Sequence, residues 1–67
     1  MTKINTDFIT LSQLLKMEDL VNSGGEVKYF LANEKVLVNG EDENRRGKKL
    51  YPNDVIVIHN KTFVIEK

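Results

Sequence analysis

Apolar positions follow two rhythms along this chain, and the change falls near Lys35. Before it, apolar residues recur three and four apart. Leu11, Leu14, Leu15 and Glu18 fall at helical spacing, with the leucines forming one buried stripe. Thr10-Leu11-Ser12-Gln13 ahead of them reads as a capping box: the Thr10 hydroxyl accepts an early helix N–H and Gln13 reaches back. This pattern predicts a helix over 11–17. Val27, Phe30 and Leu31 repeat the i, i+3, i+4 spacing behind Ser23-Gly24-Gly25-Glu26, a second capping box, and predict a helix over 24–33. Lys28 and Lys35 would share one side of that helix, away from Phe30, if it extended so far. Two such helices joined by a short connection form an αα-hairpin.

Beyond Lys35 the period is two. Val36–Val38, Val55–Ile58 and Thr62–Ile65 read as strands. Asn39-Gly40, Pro52-Asn53-Asp54 and Asn60-Lys61 read as turns, the first because both of its residues tolerate positive φ. A looser alternation of Ile4, Thr6 and Phe8 predicts a short strand over 3–8. No repeat, linker or low-complexity segment interrupts the chain. The expected fold class is α+β: an αα-hairpin packed on a small antiparallel sheet, one domain over 1–67.

Composition sharpens this picture. Sixty-seven residues sit near the lower limit for a single hydrophobic core, and the absence of cysteine removes disulfide or thiolate–metal reinforcement. An apolar share of 40% with 30% charged residues fits a globular chain rather than a disordered one. No apolar run exceeds four residues, too short to span a membrane, and the N-terminal stretch lacks a signal peptide's apolar segment. A soluble, cytoplasmic monomer is expected.

Ten basic and ten acidic side chains cancel, yet they are sorted between Asn39 and Asp54. Glu41, Asp42 and Glu43 come first, and Arg45, Arg46, Lys48 and Lys49 follow. Screening confines each charge to about 8–10 Å at physiological salt, so a neutral chain can still carry a basic patch. Arginine offers a planar donor fork suited to phosphate, and Gly47 lets a ligand approach the backbone closely. Bases on a flexible loop could follow successive phosphates, each contact releasing counterions. The plainer reading is a solvated loop whose bases neutralise its own acids.

Lys28 and Lys35 are further candidates for RNA contact, with simple solubilisation as the alternative. Tyr29 and Tyr51 fit two roles, stacking on an unpaired base or covering the edge of the core. Gly24 and Gly25 clear the start of a helix, where unpaired N–H groups attract phosphate; they equally permit a tight connection, and Glu26 opposes an anion. His59 fits a polar strand edge. No metal-ligand cluster, P-loop, nucleophile motif or framed carboxylate pair is present, so neither catalysis nor a cofactor is expected.

The stretch SGGEVKYFLANEKVLVNGEDENRRGKKLYPNDVIVI carries a resemblance. It resembles the alpha-L RNA-binding domain of the ribosomal protein S-four type, over about residues 9–66, and most of all the stand-alone YaaA-like small proteins. The shared elements are S-G-G, V-L-V-N and N-R-R-G-x-K-L-Y. The resemblance implies docking on structured RNA, ribosomal RNA first and transfer RNA second, with the helix pair and sheet loop forming one positive face. It also implies the ribosome or a subunit as partner and an accessory role in ribosome assembly. Three positions depart from the family: Thr10 and Gly24 stand where it has arginine, and Glu34 where it has glycine. These departures move the expected contacts toward the loop. Two other classes fit parts of the pattern. One is a protein-interaction adaptor using the Tyr29 and Tyr51 surface. The other is a β-grasp sulfur carrier, which needs a Gly-Gly terminus where this sequence has Ile65-Glu66-Lys67.

Overall fold

In the computed structural model, which describes residues 2–67, seven strands and two helices follow the order β1 (Thr2–Lys3), β2 (Ile9–Thr10), α1 (Leu11–Met17), α2 (Gly24–Asn33), β3 (Val36–Val38), β4 (Glu41–Asp42), β5 (Lys49–Leu50), β6 (Val55–Ile58) and β7 (Lys61–Glu66). Both helices occupy the ranges their spacing predicts. Thr10 caps α1 as expected, its hydroxyl accepting from the Gln13 N–H while Gln13 Oε1 accepts from the Thr10 N–H. Asp19 ends the helix with φ 58°; the Asp19 N–H bonds the Lys16 carbonyl and the Leu20 N–H bonds the Leu15 carbonyl. That pair of bonds is a Schellman motif with aspartate in place of the usual glycine.

The second capping box does not form. Ser23 makes no side-chain cap; the Glu26 N–H bonds the Ser23 carbonyl instead, at 3.1 Å. This tight i→i+3 turn takes the donor that the hydroxyl would have used. Helix α2 stops at Asn33, and Glu34 is extended, so Lys35 lies past the helix rather than on the side that carries Lys28.

Five strands form one sheet in the order β1-β7-β6-β3-β4, and β2 with β5 forms a separate two-stranded ribbon. The sheet is mixed, not purely antiparallel as expected, because β1 runs parallel to β7. The anticipated strand over 3–8 shrinks to Thr2–Lys3: past Ile4, whose N–H bonds the Glu66 carbonyl, the chain bends away. The Asn39-Gly40 turn is as expected, with φ of 51° and 86° between the paired Val38 and Glu41. The last hairpin turns one residue earlier than its sequence suggests. His59 and Asn60 carry the positive φ values, 53° and 64°, and Lys61 already pairs with Ile58. Asn53, at φ 78°, supplies the left-handed position after Pro52.

One apolar cluster joins the two helices, the β2–β5 ribbon and strands β3, β6 and β7. Leu11, Leu14 and Leu15 of α1, Val27 and Leu31 of α2, and Val36, Val38, Ile56, Ile58 and Ile65 of the sheet are buried together. Leu50 and Ile9 bring the β2–β5 ribbon into the same cluster. Fully burying one such side chain stabilises the fold by about 1.5–3 kcal/mol. Leu50, wholly buried, therefore anchors the far end of the basic segment to the core.

Candidate nucleic-acid interface

The basic segment is strapped to α1 rather than flexible. The Lys48 carbonyl accepts from the Leu11 N–H at 2.9 Å, and the Arg46 carbonyl accepts from the Ser12 N–H at 3.0 Å. Together with the Thr10 cap, these bonds occupy the first three N–H groups of α1. No donor of that first turn is left for an anion. The price of ordering the loop is thus shared with capping the helix, since orphan helix donors need partners in any case. Within the segment, the Lys48 N–H bonds the Arg45 carbonyl at 3.1 Å, making Arg46 and Gly47 the centre of a turn.

Arg45 does not stand free. Its Nε and Nη2 donate to the two oxygens of Glu43 at 2.9 and 3.0 Å, and its backbone N–H donates to the same carboxylate at 3.0 Å. The Glu43 side chain is only 9% exposed, whereas that of Arg45 is 72% exposed. Hydrogen bonding from the Arg45 fork, helped by its backbone N–H and the charges of Arg45 and Lys48, holds the Glu43 carboxyl at about 2 against an opposing effect of burial. So the acidic triplet is divided: Glu43 braces the loop, while Glu41 and Asp42 lie exposed on the edge strand β4.

The other bases are differently placed. Among the described residues, Lys28, Arg46, Lys48 and Lys49 have no carboxylate partner within ion-pair distance. Lys28 of α2 and Arg46 of the loop both line an open groove of about 400 Å³, together with Leu31, Ala32 and Asn44. A second groove of about 250 Å³ adjoins it, sharing Leu31 and Asn44; there Glu34, Asp42 and Glu43 outnumber Lys35. Lys35 lies 3.8 Å from Asp42, a long and exposed pair of little energetic weight. An anion entering this trough is drawn to the Lys28–Arg46 end and repelled from the other.

Open space surrounds the glycines singled out in the sequence. A Cβ on Gly24 or Gly47 would meet nothing within 4 Å, and one on Gly25 would meet only Ser23 Oγ at 3.9 Å. Their φ values are not positive, so backbone geometry alone does not demand glycine there. His59 sits apart from the basic segment, its Nε2 against Glu34 and its ring 5.5 Å from Phe30. Among the described residues no group of three or more His, Cys, Asp or Glu is placed to hold a metal, and no helix is long and apolar enough to cross a membrane.

Two participants were not read from the sequence. Asn44 edges both grooves, and Phe8 lies beneath the Lys49 ammonium, 4.9 Å from the ring centre. The sequence carried a signal only for the partners of Phe8: Lys49-Leu50-Tyr51 is a period-two triplet, which puts Lys49 and Tyr51 away from buried Leu50, whereas Phe8 joins them through a tertiary contact.

A family described as the S4 domain matches residues 2–66. The chain belongs to the S4 domain family. This S4 domain is also similar to a protein of Bacillus subtilis (strain 168) named "Probable ribosome maturation protein RlbA", with 54% identity over 55 residues, 82% of this chain and 78% of that protein. The motif resemblance to small stand-alone S4-domain proteins is thereby established.

Proposed function

We propose that this S4 domain is a non-catalytic module that docks on structured RNA, ribosomal RNA first and transfer RNA second, and acts as an accessory factor in ribosome assembly. One observation carries the reading: the Lys28–Arg46 groove, where cations from α2 and from the strapped loop converge without carboxylate partners. The family and the name borne by the Bacillus subtilis relative support the ribosomal direction. In this reading α1 and α2 act as an αα-hairpin, and the module works as a cytoplasmic monomer without cofactor.

Mechanistically, phosphates bind where positive charge is preorganised. Strapping the loop to α1 removes the need to order it at the moment of contact. Lys28, Arg46, Lys48 and Lys49 neutralise neighbouring phosphates and release counterions. Lys35 and Arg45 join them only by leaving Asp42 and Glu43. Gly24, Gly25 and Gly47 leave room for the sugar–phosphate backbone to come close. Such contacts position RNA and recognise its shape, with little base readout.

The test is a gel shift at moderate salt with structured ribosomal RNA fragments and the variant Lys28→Glu/Arg46→Glu. Binding should be lost while the circular dichroism spectrum and urea midpoint stay near those of the parent, because both side chains are exposed. Undiminished RNA affinity in the folded double variant would overturn the reading.

A further inference from the structure

Phosphate docking in the groove makes no use of a second feature, an aromatic pair at the far end of the basic segment. Lys49 and Tyr51 flank buried Leu50 in sequence and are exposed, and half-buried Phe8, beside β2, meets both of them. The Tyr51 ring centre lies 5.7 Å from that of Phe8, tilted by 46°, a separation within the favourable range for aromatic pairs. The Tyr51 backbone is fixed as well: its N–H donates to Asp54 Oδ2 at 2.8 Å, and its carbonyl accepts from the Asp54 N–H at 3.0 Å. Asp54 is itself held through its other oxygen by Asn39 Nδ2. Tyr51 nonetheless remains 46% exposed, and its hydroxyl makes no hydrogen bond among the described residues. The neighbouring Leu50 is wholly buried, whereas nearly half of the Tyr51 surface stays in solvent.

Electrostatics separates this tyrosine from the other. Tyr29 is more exposed, at 76%, but its groove is shared with Glu26 and Glu34, which repel a polyanion. The Asp54 carboxylate near Tyr51 is instead taken up by the Tyr51 N–H and Asn39 Nδ2. Tyr51 packs on Phe8, the ring that also carries the Lys49 ammonium, a cation without a carboxylate partner among the described residues. A braced, exposed aromatic next to such a cation matches one nucleotide of single-stranded RNA: the base stacks on the ring and its phosphate meets the ammonium.

We infer that Tyr51, braced by Phe8 and flanked by Lys49, is a stacking platform for one unpaired RNA base, so that the preferred RNA carries a bulged or junction nucleotide beside its stem. This rests on the RNA-binding reading above and narrows its substrate class. Alanine substitution of stacking aromatics weakens single-strand binding about 5-fold to about 150-fold per base, which bounds the preference expected here.

The experiment compares a blunt RNA duplex of about 16 base pairs with the same duplex carrying one bulged adenosine. Fluorescence anisotropy is read for the unaltered protein, Tyr51→Phe and Tyr51→Leu, each first checked for folding by urea titration. The unaltered chain should favour the bulged RNA by about 5-fold or more. Tyr51→Phe should keep that ratio, and Tyr51→Leu should bring it close to one. The ratio for the unaltered protein needs no variant, so a ratio near one overturns the platform even if Tyr51→Leu fails to fold. A ratio that survives in folded Tyr51→Leu overturns the assignment to Tyr51. Equal binding of both RNAs removes the platform alone, whereas absence of binding to either removes the RNA-docking function and the platform together.

Discussion

Arg45 and Arg46 are adjacent and chemically identical, yet the structure assigns them different work. Arg45 is committed to the bidentate pair with Glu43, whereas Arg46 lines the groove with Lys28 and has no carboxylate partner among the described residues. Replacing each in turn by glutamine separates the two roles through salt dependence. With the four unpartnered bases on four phosphates, log K should fall against log salt with a slope of about −3.6, since each contact contributes about −0.9. Raising salt from about 50 to about 200 mM then weakens binding about 150-fold. Arg46→Gln should reduce the slope to about −2.7, whereas Arg45→Gln should leave it near −3.6. Affinity can still drop in Arg45→Gln through loosening of the loop, and for that reason the slope is the deciding quantity. Fluorescence anisotropy over a salt series with one duplex RNA supplies it. Equal slope losses for the two variants would refute the argument, since Arg45 would then be leaving Glu43 to meet phosphate.

Three further outcomes concern stability. Thr10→Ala should cost about 1 kcal/mol in urea unfolding, since Thr10 makes a reciprocal cap, whereas Ser23→Ala should cost far less because its hydroxyl caps nothing. Leu50→Ala should cost about 2–5 kcal/mol by the same assay and weaken RNA binding as well, because Leu50 anchors β5 to the core and β5 fixes the basic segment. Glu43 gives a pH signature. Its carboxyl drops from 4.5 to about 2 on folding, so its stabilising effect is complete above about 4.5 and disappears as pH falls toward about 2. Urea midpoints measured over that acid range should fall more steeply for the unaltered chain than for Glu43→Gln.

The two helices, the Thr10 cap and the Asn39-Gly40 turn were readable in the sequence because each depends on residues within a few positions of one another. Hydrophobic spacing over two turns names the buried face of α1, and two residues that tolerate positive φ suffice to turn a hairpin. The strand ranges of β3 and β6 were legible for the same reason, as Val36–Val38 and Val55–Ile58 show. Ser23 marks the limit of this reasoning. Its residue type is right for a cap, but the backbone closed a tighter turn and left the hydroxyl unused.

Composition and local pattern therefore determined a small α+β chain with its positive charge concentrated between Arg45 and Lys49. Tertiary structure decided what that charge can do. Only folding brings the Arg46 and Lys48 carbonyls onto the first turn of α1, sets Lys28 and Arg46 on one groove, and runs β1 parallel to β7 from the other end of the chain. It also decides which cation is spent on a carboxylate, because an ion pair depends on a few ångströms of separation and on how far water is excluded. Neither quantity is written in the order of residues, so Arg45 and Arg46 look alike in sequence and differ in the folded protein.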